Sequence, residues 1–152
     1  MEHMGNLLLS GDGKKNYLYI AVHIAASIVI LAAYYFTWGL GAVLLGVAIF
    51  FILFDVYILL SRLRRAKTEI YVYENGIHGI GIMKKPYSLA EFQAPYDEIS
   101  QVDMSDRHAV TISIAGGTYS CYPADKKVIR SAINEKVFQA KLAQNSEIGE
   151  VC

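Results

Sequence analysis

The chain has 152 residues, 54% of them apolar and 18% charged, and its 14 basic and 14 acidic residues leave no net charge. A disordered chain is excluded because it needs low hydrophobicity and a high net charge, and a nucleic-acid-binding protein is disfavoured because a basic excess is missing. The charge is also unevenly spread, since residues 17–61 contain a single charged residue, Asp55, so a simple soluble domain is excluded as well.

The apolar run predicts a pair of membrane helices. Residues 1–16 form a short N-terminal segment, and the 45 residues that follow are too many for one span, which needs about 20 apolar residues. Aromatic residues at 34–36 and 38, followed by glycines at 39 and 41, are typical of a tight turn at a membrane surface. We therefore predict a transmembrane hairpin over residues 17–61, with helices over about 17–37 and 40–60.

Basic residues flank this hairpin on one side only. Lys14 and Lys15 precede it, no Lys or Arg lies within it, and four basic residues follow it: Arg62, Arg64, Arg65 and Lys67. The positive-inside rule places both termini in the cytoplasm and predicts a multi-pass protein of the inner (plasma) membrane. We expect the four following residues to contact lipid headgroups. A cleaved signal peptide is the alternative, disfavoured because the first run is long and a second span follows it directly.

Two ionisable residues, His23 and Asp55, lie at the same depth if the hairpin turns near residue 39. Such groups are costly in a span unless they are paired or reach the interface. Two interpretations remain open: the two side chains face each other inside the hairpin, or each reaches the cytoplasmic headgroups separately. The opposite helix faces carry small residues, which we expect to pack against other helices or a second copy. These small residues are Ala21, Ala25, Ala32, Ala42 and Gly46.

Short alternating runs after residue 66 predict a small antiparallel sheet of five or six strands. The runs cover residues 68–73, 77–83, 92–94, 99–104, 109–115 and 118–122, with turn signals at 74–76 and 116–117. From Asp125 to about Ala143, apolar residues at helical spacing predict a closing helix; they include Ile129, Ile133, Val137 and Ala140. We expect this cytoplasmic domain, residues 67–143, to fold on its own and residues 144–152 to form a flexible tail.

Two stretches carry a resemblance to a known family. Residues 70–77 (IYVYENGI) and 94–102 (APYDEISQV), followed by the Gly-Gly hairpin and the helix, resemble bacterial pleckstrin-homology-like (PH-like) domains attached to a two-helix membrane hairpin. A small membrane family with the same hairpin and a strand-rich tail is an equally good match. The resemblance implies a partial barrel capped by a C-terminal helix, because the segment is short for the PH-like family. The basic cradle of lipid-binding relatives is not implied, since residues 74–76 read Glu-Asn-Gly.

Catalytic and metal-binding patterns are missing from the sequence. The glycines of residues 76–81 follow a turn without opening a helix, so they do not fit a dinucleotide fingerprint, and the histidines at 78 and 108 are isolated. We therefore predict no enzyme activity, no cofactor and no metal. Basic residues in the predicted loops and helix start are either a solvated face or candidate contacts for lipid or a partner. They are Lys84, Lys85, Lys126, Lys127 and Arg130.

The sequence thus favours a membrane α+β protein in which a transmembrane hairpin anchors a PH-like binding or scaffold domain. The expected partners are the lipid bilayer, an unidentified protein, or further copies of the chain. The alternative is a subunit of an oligomeric transporter or channel that uses His23 and Asp55. A membrane enzyme is the least supported class because no catalytic set is visible.

Overall fold

The computed structural model describes residues 4–38, 41–105 and 107–149. The chain divides into two compact units. The helical unit is Lys14–Ala66, and the sheet unit combines Met1–Gly13 with Lys67–Cys152. The predicted fold class is confirmed: two apolar helices come first, and a curled antiparallel half-barrel sheet and a C-terminal helix follow.

The helical unit consists of α1 (Lys15–Trp38) and α2 (Ala42–Ala66). Both helices are long and apolar enough to cross a membrane. The second helix continues past its predicted end at residue 60, because nothing in residues 61–66 interrupts a helix and basic side chains near a helix C-terminus are favourable. Arg64 and Arg65 therefore lie on the last helical turn instead of in a linker.

The first strand, β1 (Leu7–Asp12), lies in the segment that we predicted as a separate N-terminal piece. It pairs antiparallel with β2 (Glu69–Tyr73), with Asp12 opposite Glu69. The Gly13 N–H continues the ladder by donating to the Thr68 carbonyl at 2.8 Å. The helical unit is therefore an insertion between two neighbouring strands, and the domain predicted over residues 67–143 gains a strand from the N-terminus.

The remaining strands form an antiparallel sheet around β3 (Gly76–Met83). One edge of β3 pairs first with β2 and then with β7, while the other edge pairs along its full length with β4. The path of the sheet is β1-β2-β3-β7-β6-β5, with β4 beside β3. The bounds of the later strands are β4 Ser88–Pro95, β5 Gln101–Asp103, β6 Val110–Ile114 and β7 Gly117–Cys121.

The closing helix, α3 (Lys126–Gly149), covers the concave face of the sheet with the predicted apolar stripe. Ile129, Ile133 and Val137 are buried and Ala140 packs against the same core. Their spacing of three and four residues keeps them on one helix face, while the inward residues of the strands supply the facing side chains. Residues 144–149, predicted as flexible tail, continue the helix, and the last three residues lie outside the described part of the chain.

The β6–β7 hairpin turns one residue earlier than predicted. Its two-residue turn is Ala115-Gly116, and Gly117 opens β7 opposite Ile114. Gly117 has a φ of +139°, which favours glycine, so the second glycine of the pair is required by backbone conformation.

Gly79 on β3 lies close against the backbone of β2, and it supplies a first prediction. A Cβ at this position would overlap the Glu69 carbonyl oxygen, which is backbone and moves only with the strand. We expect Gly79→Ala to lower the free energy of unfolding of the sheet unit by about 1–3 kcal/mol, measured by urea denaturation monitored through hydrogen exchange. Gly116→Ala is the matched control, because its Cβ would be 3.5 Å from the nearest atom. Equal losses in both variants would contradict the close approach.

Candidate functional site

The helical unit brings the predicted polar pair together. His23 Nε2 and Asp55 Oδ1 are 2.8 Å apart, with about one-third of the histidine and one-quarter of the aspartate side chain exposed. Nε2 makes no hydrogen bond of acceptable geometry, so the two side chains are in close polar contact without an aligned N–H. Of the two interpretations left open by the sequence, the geometry is that of side chains facing each other between the helices.

Ser27 completes this cluster and was missed in the sequence. Its Oγ donates to the same Asp55 oxygen at 3.1 Å, and the residue is buried. The available signal was its position four residues after His23, which puts both side chains on one face of α1. The carboxylate is thus approached by two polar groups from one helix, an arrangement suited to holding a charge or passing a proton.

A second polar layer lies seven residues away on each helix. Arg62 donates from Nη1 to Asn16 Oδ1 at 3.4 Å, and its guanidinium lies 5.3 Å from the centre of the Tyr19 ring. Arg62 was predicted to contact lipid headgroups, which stays a prediction, and in the structure it connects α2 to α1. Buried Asn16 was not predicted as part of any site, although its spacing from His23 places it on the same face of α1.

The remaining residues predicted for membrane contact or self-association are mostly exposed. Ala21, Ala25, Ala32 and Gly46 are exposed on the outer faces, and a Cβ on Gly46 would meet nothing within 4 Å. The side chain of Ala42 lies outside the described residues. Of the basic residues after the hairpin, those at 64 and 67 are exposed and the one at 65 is half-buried.

The predicted basic residues of the sheet unit fall into two groups. Lys84 and Lys85 are exposed in the turn between β3 and β4. Lys126, Lys127 and Arg130 open α3, and two of these line a cleft of about 580 Å³ together with the loop after β5. The lining residues of this cleft, which we call the basic cleft, are Met104, Ser105, Arg107, Lys127 and Arg130. The contribution of Arg107 was not predicted, because it lies in a loop.

The acidic turn at residues 74–76 has a structural role. The Glu74 carboxylate accepts hydrogen bonds from the backbone and side-chain N–H groups of Asn6, at 3.0 and 3.1 Å. These bonds stabilise the charged form and lower the pKa of Glu74. The turn therefore fastens the segment that leads into β1. Nearby, Tyr96 donates from its hydroxyl to the Tyr73 carbonyl, and burial raises the pKa of Tyr96 to about 12.

The two isolated histidines do not form a metal centre. His78 makes a 2.8 Å hydrogen bond to Glu91 on the neighbouring strand and stacks on the Tyr71 ring. His108 is exposed near the start of β6. Across residues 4–38, 41–105 and 107–149, no group of three His, Cys, Asp or Glu side chains could hold a metal ion.

Cys121 supplies a second prediction. It is buried on β7, and burial raises the pKa of its thiol, so almost no thiolate forms near neutral pH. In a Cys152→Ser variant, this single remaining thiol is expected to resist maleimide labelling for hours in the folded chain and to react fully within minutes in denaturant. The counter-variant, Cys121→Ser with Cys152 retained, reports the rate of the other thiol. Rapid labelling of folded Cys152→Ser would show that β7 opens.

No protein-family model, no curated protein and no solved structure matches this chain.

Proposed function

We propose that this chain is a membrane-anchored binding and scaffold protein of the inner membrane, whose cytoplasmic sheet unit contacts a protein partner or further copies of itself. The observation that carries the proposal is the insertion of two apolar helices between paired strands. Because Asp12 and Glu69 are neighbours in one ladder, the two ends of the hairpin must emerge on the same side of any membrane that it crosses. An even number of spans satisfies that condition.

The order of elements supports a PH-like module. A curled antiparallel sheet with one helix across its concave face is the arrangement implied by the resemblance, and β1 supplies the strand that residues 67–143 lack. Among the described residues, polar side chains of the sheet unit make structural contacts, such as Glu74 with Asn6 and His78 with Glu91, and the basic cleft is lined by Lys and Arg side chains. A binding role therefore fits this unit better than a catalytic one.

The charges at the ends of the helices support a cytoplasmic location of the sheet unit. Lys14 and Lys15 lie at the start of α1, and Arg64 and Arg65 lie in the last turn of α2, all at the ends that connect to the sheet unit. Basic residues at these ends favour retention on the cytoplasmic, anionic face of the membrane. The exposed alanines at 21, 25 and 32 leave an outer face for a second copy in the bilayer.

Cysteine labelling of whole cells tests the topology. In a Cys152→Ser background, we expect an impermeant maleimide to reach Gly41→Cys in the turn between the helices and to miss Ser146→Cys on α3 until the cells are opened. The two variants are matched, because both positions are exposed. Labelling of Ser146→Cys from outside would contradict the cytoplasmic location of the sheet unit. If neither position were labelled from outside, the proposal that the two helices cross the membrane would be wrong.

Partner binding is tested by photo-crosslinking in native membranes. A photoreactive side chain at exposed positions of the sheet unit, such as Gln93 on β4 and Ser131 on α3, should capture one recurrent protein or a second copy. The same side chain at buried Val110 is the control and should capture neither. Absence of any product at several exposed positions would contradict the scaffold role.

The alternative, a subunit of a transporter or channel, is favoured by one observation: Ser27, His23 and Asp55 converge inside the hairpin. A double-mutant cycle with His23→Leu and Asp55→Leu measures the coupling in one lipid. We expect a coupling of about 0.5 kcal/mol or more, since polar contacts between spans average about 0.6 kcal/mol. The control cycle pairs His23→Leu with a leucine at outward-facing Tyr57 and should be additive.

Proton or ion flux in liposomes then separates the two functions. Flux that disappears in Asp55→Leu would favour the transport alternative over the scaffold. Additive energies in the first cycle would remove the contact on which the alternative depends.

A further inference from the structure

The strongest unassigned feature is the basic cleft at the start of α3. It lies within the sheet unit and has a volume of about 580 Å³, which is in the range of ligand-binding clefts. Arg107 approaches it from the loop after β5, and Lys127 and Arg130 approach it from the first turns of α3. Three long cationic side chains from two elements thus converge on one concave surface.

The positive charge of the sheet unit is concentrated in the first part of α3. Residues 67–124 contain four basic and seven acidic residues, whereas residues 125–141 contain five basic and two acidic residues. Two acidic residues, Asp125 and Asp106, are neighbours of the cleft residues in the sequence, and Asp106 lies outside the described residues. The three basic side chains that line the cleft outnumber them, so the net charge stays positive. A cation-rich surface on an otherwise acidic unit selects an anionic ligand.

The rim of the cleft adds an apolar component. Met104 lines the cleft and is 50% exposed. Its side chain does not pack into the core of the sheet unit. Cationic side chains beside an exposed apolar one suit a ligand that has both a charged group and a hydrocarbon part.

We propose that the basic cleft binds a phosphate-bearing anion, with the headgroup of an anionic phospholipid as the occupant that uses both the charges and the apolar rim. Guanidinium and ammonium groups donate charge-assisted hydrogen bonds to phosphate oxygens, and Arg does so with two parallel bonds. The inference rests on the proposed function, because anchoring at the inner membrane keeps the sheet unit close to anionic headgroups. The lipid is then a ligand of the sheet unit as well as the solvent of the hairpin.

The test uses the full chain in nanodiscs, with an environment-sensitive dye on Ser131→Cys in the Cys152→Ser background. Ser131 is exposed on α3 and does not line the cleft. The four probes are pure phosphatidylcholine, phosphatidylcholine with increasing phosphatidylglycerol, glycerol 3-phosphate in the buffer, and inorganic phosphate in the buffer. A dye on Gln93→Cys is the distal control. We expect a saturable emission shift at residue 131 with phosphatidylglycerol and none at residue 93.

Two matched double variants assign the shift to the cleft. Arg107→Gln with Lys127→Gln should weaken the response at least tenfold, because each basic residue near a bilayer contributes about a fivefold gain in affinity. Lys84→Gln with Lys85→Gln removes the same charge from the exposed β3–β4 turn and should change it less than twofold. Both should keep the thermal unfolding midpoint of the parent chain.

The outcomes separate the sources of the phosphate. A response to phosphatidylglycerol alone supports a lipid headgroup, and an equal response to glycerol 3-phosphate in pure phosphatidylcholine supports a soluble phosphate ester in the same cleft. No shift with any probe, or equal losses in the two double variants, would overturn the site. Anchoring is judged separately, by incorporation into nanodiscs and by the labelling topology, so failure of the cleft leaves the proposed function standing.

Discussion

Ile133→Asp is expected to unfold the sheet unit while leaving the helical unit intact. Ile133 is fully buried at the centre of the apolar stripe of α3, against the inner face of the sheet. A carboxyl group there finds no partner, and burying it costs several kcal/mol even when it is protonated, which is a large part of the stability of about 5–15 kcal/mol that a small domain has. Hydrogen exchange of the full chain in micelles should show loss of protection across β2–β7 and retained protection in α1 and α2.

Phe138→Asp is the matched control for this substitution. It makes the same change to a carboxylate on the same helix, but Phe138 is 62% exposed on the outer face. We expect a change within about 0.5 kcal/mol, as for other surface substitutions. If the two variants behave alike, the buried face of α3 has been assigned to the wrong residues.

The second large effect concerns the hairpin itself. A chain in which Gly13 is joined to Thr68 by Asn-Gly, without residues 14–67, is expected to be soluble and folded. Gly13 and Thr68 already pair at the end of the β1–β2 ladder, and Asn-Gly favours the two-residue turn that connects such strands. Dispersed amide signals by NMR and a cooperative urea transition are the measurements.

Residues 68–149 alone are the comparison that shows what β1 contributes. Leu9 packs against the core, and the backbone at Gly11 lies against Ile129 and Pro123, so removal of β1 exposes apolar surface on both sheet and helix. We expect this shorter chain to be less stable by at least about 2 kcal/mol, which is roughly the burial of one large aliphatic side chain. Equal stability of the two chains would mean that β1 is dispensable.

Much of the architecture was predictable because its signals are local. A continuous apolar run of 45 residues, alternating strands and a stripe at helical spacing each report their own environment. β1 was missed for the opposite reason. Its sequence, LLLSGD, has three successive leucines in place of an alternating pattern, and its partner strand begins only at Glu69. Pairing between strands that are separated by an inserted hairpin produces no pattern in the sequence of either strand.

The candidate sites divide in the same way. His23 and Asp55 could be placed at one depth because an antiparallel hairpin fixes their register, and their 2.8 Å contact follows that register. The basic cleft could not be assembled from sequence, since Arg107 reaches it from a loop whose course depends on β5 and β6. For Lys127 and Arg130, their spacing of three residues was enough to predict that they lie on the same side of α3.

The separation of β1 from β2 has a consequence during biosynthesis. The first strand leaves the ribosome before either helix, and it has no partner until Glu69 and the residues after it have been made. The sheet can close only when the segments before α1 and after α2 are in the same compartment. A chain in which one helix failed to insert would hold β1 and β2 on opposite sides of the bilayer, with Ile129 and its neighbours uncovered. If the two helices insert into a membrane, completion of this fold acts as a check on that insertion, and misinserted chains would present exposed apolar surface to cellular proteases.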